Sequence, residues 1–271
     1  MTTGGDIAGI EVLRRGAENG TDAPPLLFLH GAFAGAWCWD EHFMPWFADR
    51  GYDTMAFSFR GHGRSTGHAV LHGLGIDDYV TDLRRVVARF RRPPVLVGHS
   101  MGGYVAMRYL QQGGEAAGLV LMASVPPSGL WGPCAWLWMT RPVLLWQIGA
   151  LQAVGNHGAT VDMANAALFN GPNGRDLARR YVPRMGNESL RACYDMYAPT
   201  VPGSALNLGV PSLVMGAGLD SLIPPLSVRE TAQSLGTEAR MFDGMGHGMM
   251  LDGGWARVAT AIDDWLPGGT A

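Results

Sequence analysis

Charge and cysteine are both scarce in this 271-residue chain. Charged residues make up 16% of it against 47% hydrophobic, a balance that excludes a self-repelling disordered chain and fits a packed globular fold. A basic excess is also missing. The formal net charge of −3 supplies no positive field for nucleic acid and no polybasic patch for anionic lipid. The three cysteines, Cys38, Cys134 and Cys193, are odd in number, widely separated and never arranged as C-x-x-C. They imply neither a disulfide framework nor a zinc site, and reduced thiols in a cytoplasmic protein are expected. The most apolar segment, residues 130–154, is interrupted by Arg141-Pro142, which breaks a helix and would set a charge in mid-bilayer, so no transmembrane span is expected. The opening "MTTGGDIAGIEV" has no positive n-region and no apolar h-region, so no signal peptide is expected either. Repeats and low-complexity tracts are lacking, which excludes solenoids. Chemistry on a small molecule is the remaining expectation, and the length suits one α/β domain carrying a modest subdomain.

Short β-rich runs alternate with helical patterns, at residues 26–30, 54–57, 95–97, 119–123, 213–215 and 239–242. That alternation predicts βαβ units and a mostly parallel sheet flanked by helices. In "IDDYVTDLRRVVARFRR", Val80, Leu83, Val87 and Phe90 recur at helical spacing, with aspartates early and arginines late, in keeping with the helix dipole. The arginines at 84–92 read as a solvated helix end before Pro93-Pro94. "IAGIEVLRRG" reads as a leading antiparallel strand. Residues 126–208 break the βα rhythm and are rich in Trp, Met, Gly and Pro. They predict an inserted helical cap, leaving 1–125 and 209–271 as the core.

The chemistry centres on "VLVGHSMGG". It contains G-x-S-x-G, preceded by an apolar strand and followed by a helical pattern, the context in which this motif places a serine on a sharp strand-to-helix turn. The flanking glycines let neighbouring chain pass without a Cβ clash. The turn aims the amide of Met101, at the helix N-terminus, where an acyl substrate would develop negative charge. By itself the motif allows a Gly-rich turn as readily as a nucleophile. Serine is a weak nucleophile at neutral pH and requires a base, with an acid to orient it. "PSLVMGAGLDSLIPP" opens a strand into a loop bearing Asp220, and "ARMFDGMGHGMMLD" ends another in a glycine-rich loop bearing His247. The order Ser100, Asp220, His247 is that of α/β-hydrolase triads. Other candidates compete less well. His99 adjoins Ser100 but should point away from it, and reads as packing. His30 and His62 read as turn-stabilising. Asp243 and Asp252 flank His247 too closely to orient it, and read as surface residues.

These segments together resemble the α/β-hydrolase superfamily over nearly the whole chain outside the cap. "FLHGAFAGAW" resembles the His-Gly turn after the third strand, "FRGHGRS" the loop after the fourth, "GHSMGG" the elbow, and "MGAGLDSLIPP" and "MGHGMM" the acid and base loops. The resemblance implies that Ala32 supplies a second oxyanion amide beside Met101, and that Phe33 lines the substrate site. One position departs from the pattern: Ser58 stands where many relatives carry Asp. Within the superfamily the chain is most similar to bacterial carboxylesterases and lysophospholipase-like or monoacylglycerol-lipase-like hydrolases with a small cap.

The expected reaction is hydrolysis of a carboxylic ester through an acyl-enzyme, without metal or organic cofactor. Trp131, Trp136, Trp138 and Trp146, with Met139, crowd the cap. They fit either a lid over an apolar acyl or aromatic group, with Trp131 at the substrate, or the cap's own core. The same three catalytic residues also serve thioesterases, lactonases, C–C bond hydrolases and cyclases, and a receptor could retain them while only binding ligand. Fast turnover of a generic ester separates the enzyme from the receptor.

Overall fold

A computed structural model of the chain describes residues 3–16, 23–155, 158–199 and 206–266. The leading segment forms a hairpin rather than one strand: β1 (Thr3–Ile7) pairs antiparallel with β2 (Ile10–Arg15). The reversal at Ala8-Gly9, where both residues have positive φ, is what divides it. Then come β3 (Leu26–Leu29), α1 (Trp37–Asp40), α2 (Phe43–Ala48), β4 (Thr54–Phe57), α3 (Ile76–Val87), β5 (Val95–His99), α4 (Met101–Gln111) and β6 (Gly118–Met122). A helical insertion follows, with α5 (Trp131–Thr140), α6 (Pro142–Val154), α7 (Val161–Ala164), α8 (Gly174–Tyr181) and α9 (Leu190–Asp195). The chain returns through β7 (Ser212–Ala217), α10 (Pro225–Ser234), β8 (Ala239–Phe242) and α11 (Trp255–Asp263).

The eight strands form one sheet in the order β1-β2-β4-β3-β5-β6-β7-β8. It is parallel from β4 to β8, and the β1–β2 and β2–β4 pairs at one edge are antiparallel. Strands β3, β4, β5 and β6 are buried at every residue, as expected where helices cover both faces of a parallel sheet. One apolar cluster packs Phe28, Trp39, Phe43 and Phe47 beneath α1, α2 and α11. On the other face Leu27, Phe57, Tyr79 and Met107 pack beneath α3 and α4. The arginines ending α3 are exposed, as a solvated helix end requires.

The break read at Arg141-Pro142 is present: α5 stops at Thr140 and α6 begins at Pro142. Among the described residues no helix is long and apolar enough to cross a membrane. In the insertion, a wide π-type turn at Asn165–Phe169 ends on Asn170 with φ of 43°. This turn reaches back to the sheet, as described below.

Candidate active site

Every sequence-selected residue of the core lies at the C-terminal edge of the parallel strands. Ser100 follows β5, with φ of 51° and ψ of −117°, a backbone conformation strained for any residue bearing a Cβ. The strain is held by bonds on both sides. The Ser100 amide donates to the Met122 carbonyl at 3.1 Å, and its own carbonyl accepts from Gly103 at 3.1 Å and Val125 at 3.2 Å. The glycines are sterically required: a Cβ on Gly98 would lie 2.5 Å from the Gly103 Cα, and one on Gly102 would strike the Leu29 carbonyl. Absent side chains therefore bring α4 against β3 and β5 and leave its first amide, that of Met101, beside Ser100.

Asp220 and His247 meet from separate loops. His247 Nδ1 lies 2.8 Å from Asp220 Oδ2 in a buried contact. The other carboxylate oxygen accepts from the amides of Leu222 at 2.8 Å and Ile223 at 2.9 Å. Three acceptor contacts thus fix the carboxylate, and its position gives His247 the tautomer with Nδ1 protonated and Nε2 free to accept. Ser100, His247, Met101, Ala32 and Phe33 line one cavity of about 240 Å³. Ser100 Oγ has no hydrogen-bond partner among the described residues.

The His-Gly turn after β3 comes against the elbow because Gly31 has no side chain: a Cβ there would lie 2.7 Å from His99 Nδ1 and 3.1 Å from Ser100 Cβ. His30 stabilises this turn as expected. Its Nδ1–H donates to the Gly31 carbonyl at 2.8 Å, and its Nε2 accepts the Phe59 amide at 3.0 Å. Burial, with His62 nearby, pushes His30 down to about 3, so it stays neutral.

Three expectations need correcting. His99 is more than packing: it lines the cavity, and its Nε2–H donates to the His247 carbonyl at 2.9 Å. Burial and the neighbouring His247 push its pKa down to about 3, leaving a neutral donor that braces the loop of His247. Asp252 is buried rather than superficial, because its carboxylate accepts from Gly246 at 3.2 Å and Gly254 at 3.0 Å and closes the loop around His247. Trp131 does not line the cavity. It is 70% exposed, and its ring packs edge-on to Tyr197 with centroids 5.2 Å apart. Trp138 and Trp146 are also exposed, and Trp136 packs within the insertion. The cavity wall is aliphatic instead, built from Leu137, Leu145, Ile148, Leu151, Met163 and Ala167. The apolar character expected of this segment is present, but α5 and α6 are apolar all round, and periodicity could not tell which residues face inward.

Several supporting residues carry no local sequence signal. Asn170 Nδ2 donates to the Leu219 carbonyl at 3.1 Å, and the Leu168 carbonyl accepts the Gly248 amide at 2.8 Å. The π-type turn therefore clasps the loops of Asp220 and His247 together. Ser58, in place of the usual Asp, accepts the Ala36 amide at 2.9 Å and donates to Glu11 at 2.8 Å, so β2 supplies a carboxylate to this loop. Glu188, between α8 and α9, is buried against His62 at 3.0 Å. His62 makes the turn contact expected of it, with Nδ1 donating to the Arg60 carbonyl at 3.3 Å, and Glu188 adds a second partner at Nε2. No group of acidic, cysteine or histidine residues suited to a metal ion occurs among the described residues.

A family model described as the alpha/beta hydrolase family matches residues 26–261. This chain belongs to that family. It is 31% identical over 251 residues to a non-heme haloperoxidase of Rhodococcus erythropolis, covering 83% of this chain and 86% of the relative. It is 38% identical over 111 residues to a bifunctional esterase/perhydrolase of Acinetobacter calcoaceticus, spanning 39% of this chain and 38% of that one. Among solved structures, an esterase from Exiguobacterium antarcticum superposes with a TM-score of 0.73 at 19% identity, covering 98% of this chain and 99% of that one. At that identity the likeness is one of fold. A hydrolase fold shared with esterases supports an enzyme acting on a small molecule.

Proposed function

We propose that this protein is a serine hydrolase cleaving carboxylic esters with an apolar acyl or alcohol group. The observation that carries the reading is the 2.8 Å contact between His247 and Asp220 at the rim of the cavity that also holds the strained Ser100. In the proposed cycle His247 Nε2 takes the Ser100 proton as Oγ attacks the ester carbonyl, and Asp220 stabilises the imidazolium that forms. The carbonyl oxygen becomes an oxyanion held by the Ala32 and Met101 amides, each such donor contributing about 3–4 kcal/mol in comparable sites. Collapse expels the alcohol, which leaves with the proton from His247. Water, deprotonated by His247, then attacks the acyl carbon and releases the acid and free Ser100. No cofactor enters this cycle. The insertion serves as a cap over residues 126–208, and its aliphatic lining selects apolar chains.

The test combines a panel of p-nitrophenyl esters of increasing chain length with a serine-directed fluorophosphonate. The expected result is turnover favouring apolar acyl chains, one adduct on Ser100, and loss of both in Ser100→Ala. An adduct mapped elsewhere, or normal turnover by purified Ser100→Ala, overturns the proposal. The haloperoxidase and esterase/perhydrolase relatives favour one second reading. In it, hydrogen peroxide replaces water in the release step and attacks the same acyl carbon, giving a peroxy acid and free serine. Adding peroxide to the ester assay and titrating peroxy acid decides between the two.

A further inference from the structure

We infer that Glu188 is a positioning residue for the oxyanion turn. It is a buried carboxylate on the returning arm of the insertion that fixes the Phe33 amide, and with it the Ala32 peptide, in the orientation acyl transfer needs. The inference rests on the acyl-transfer reading above and extends it to a residue remote from the reacting atoms.

Glu188 is 3% exposed. Its Oε2 accepts the Phe33 amide at 3.2 Å and lies 3.0 Å from His62 Nε2. Its Oε1 accepts the Tyr79 hydroxyl at 3.1 Å and the Ser189 amide at 2.7 Å. Two residues earlier, the Gly186 amide donates to the Phe33 carbonyl at 2.8 Å. One short arm therefore grips Phe33 by both its N–H and its C=O. Phe33 needs such a grip, because its φ of 62° is costly for a residue with a bulky side chain.

The turn is held as two adjoining peptide planes. His30 Nδ1–H bonds the Gly31 carbonyl at 2.8 Å, the oxygen in the same plane as the Ala32 N–H. Glu188 bonds the Phe33 N–H, in the next plane. The two supports touch through His62, whose ring lies 5.1 Å from that of His30. Rotation of either plane would swing the Ala32 amide off the position the oxyanion occupies, and misplacement on the ångström scale is enough to lose most of a preorganised donor's effect. A buried ion pair is seldom retained for stability alone, since apolar residues of equal volume often stabilise as well. Apolar residues cannot accept the Phe33 N–H, and that bond is what the carboxylate adds here.

The experiment measures kcat and KM on an apolar p-nitrophenyl ester, and the inhibition constant of a trifluoromethyl ketone that adds to serine as an oxyanion. It compares wild type, Glu188→Gln and Glu188→Asp, in the parent and in Phe33→Gly, since glycine adopts a positive φ without strain. Glu188→Gln places an amide among four donors, whereas Glu188→Asp keeps the charge near His62 but withdraws its oxygen from Phe33. Both are expected to lower kcat about tenfold or more with KM within about threefold, and to weaken ketone binding by the factor lost in kcat/KM. In the Phe33→Gly background the loss should shrink to about threefold or less. The inference is overturned by a folded single variant, Glu188→Asp or Glu188→Gln, with kcat within about twofold of wild type, by a loss confined to KM, or by undiminished losses in Phe33→Gly. Wild-type protein that neither turns over esters nor labels at Ser100 overturns the acyl-transfer reading and this role with it. Active wild type with unaffected Glu188 variants overturns this role alone.

Discussion

Single side chains, and single missing ones, set the site's geometry. Ser100→Ala, Asp220→Asn and His247→Ala are each expected to reduce kcat by about three orders of magnitude or more, with unchanged circular dichroism separating chemistry from folding. Gly31→Ala tests the steric argument. Its Cβ would lie 2.7 Å from His99 Nδ1, so the turn must shift, and activity should fall about a hundredfold while stability drops by about 1–3 kcal/mol. Wild-type kcat in Gly31→Ala would refute the close approach. At this scale the sequence was highly legible for Ser100, Asp220 and His247, because an elbow and two strand-end loops each have a local signature. Glu188, Asp252 and His99 were not legible in these roles. Glu188 and His99 find partners in distant segments, whereas Asp252 bonds within its own loop to Gly246 and Gly254. Neither a lone Glu before a Ser-capped helix nor an Asp in a glycine-rich loop has a local pattern to announce burial.

Elements bring those residues together, and the insertion shapes what they enclose. Helix α6 places Gly149 on the cavity wall, where an added Cβ would meet nothing within 4 Å. Gly149→Ala is therefore expected to raise stability by up to about 1 kcal/mol through helix propensity. Gly149→Phe should fill the cavity and shift the preferred p-nitrophenyl ester to shorter chains, and an unchanged chain-length profile would contradict the assigned wall. Trp138→Ser and Trp146→Ser, by contrast, should leave KM for apolar esters within about twofold, since neither ring reaches the cavity. The helix–strand alternation was readable because each strand is a short apolar run with turn residues beyond it. The hairpin at β1 and β2 and the inward face of α5 and α6 were not. The first depends on two positive-φ residues, and the second on helices without a polar face.

Across the molecule, the Glu188–His62 pair ties the insertion to the core and should leave a pH signature. Burial alone would raise the Glu188 carboxyl, but His62 and the Ser189 amide outweigh it and hold it below the usual carboxylate range. Burial would likewise lower His62, and Glu188 reverses that to hold it above its ordinary 6.5. The lowered carboxyl stabilises the fold above its unfolded pKa and ceases to do so as pH falls through its folded one. The raised imidazole stabilises below about 6.5 and ceases to do so as pH rises through its folded pKa. The pair is therefore complete between about pH 4.5 and 6.5. Neighbouring titratable groups are silent there: His30 is pushed down to about 3, Cys193 up to about 12, and Tyr79 far above its normal range by burial and Glu188. The urea midpoint of wild type should exceed that of Glu188→Gln by more at pH 5.5 than at pH 9. Equal gaps would show that the pair does not change charge between those two pH values.

The sequence by itself determined the parallel sheet, the elbow, the order of Ser100, Asp220 and His247, and the helical break at Arg141-Pro142. Each of these is encoded by residues near one another in the chain, through periodicity, turn chemistry or backbone sterics. Only the tertiary structure decided which apolar residues enclose the cavity, that Trp131, Trp138 and Trp146 stand outside it, and that His99, Asn170 and Glu188 brace its loops. Those outcomes depend on contacts between segments as much as 155 residues apart, such as Glu188 and Phe33, whose meeting is fixed by packing and is invisible to any local pattern.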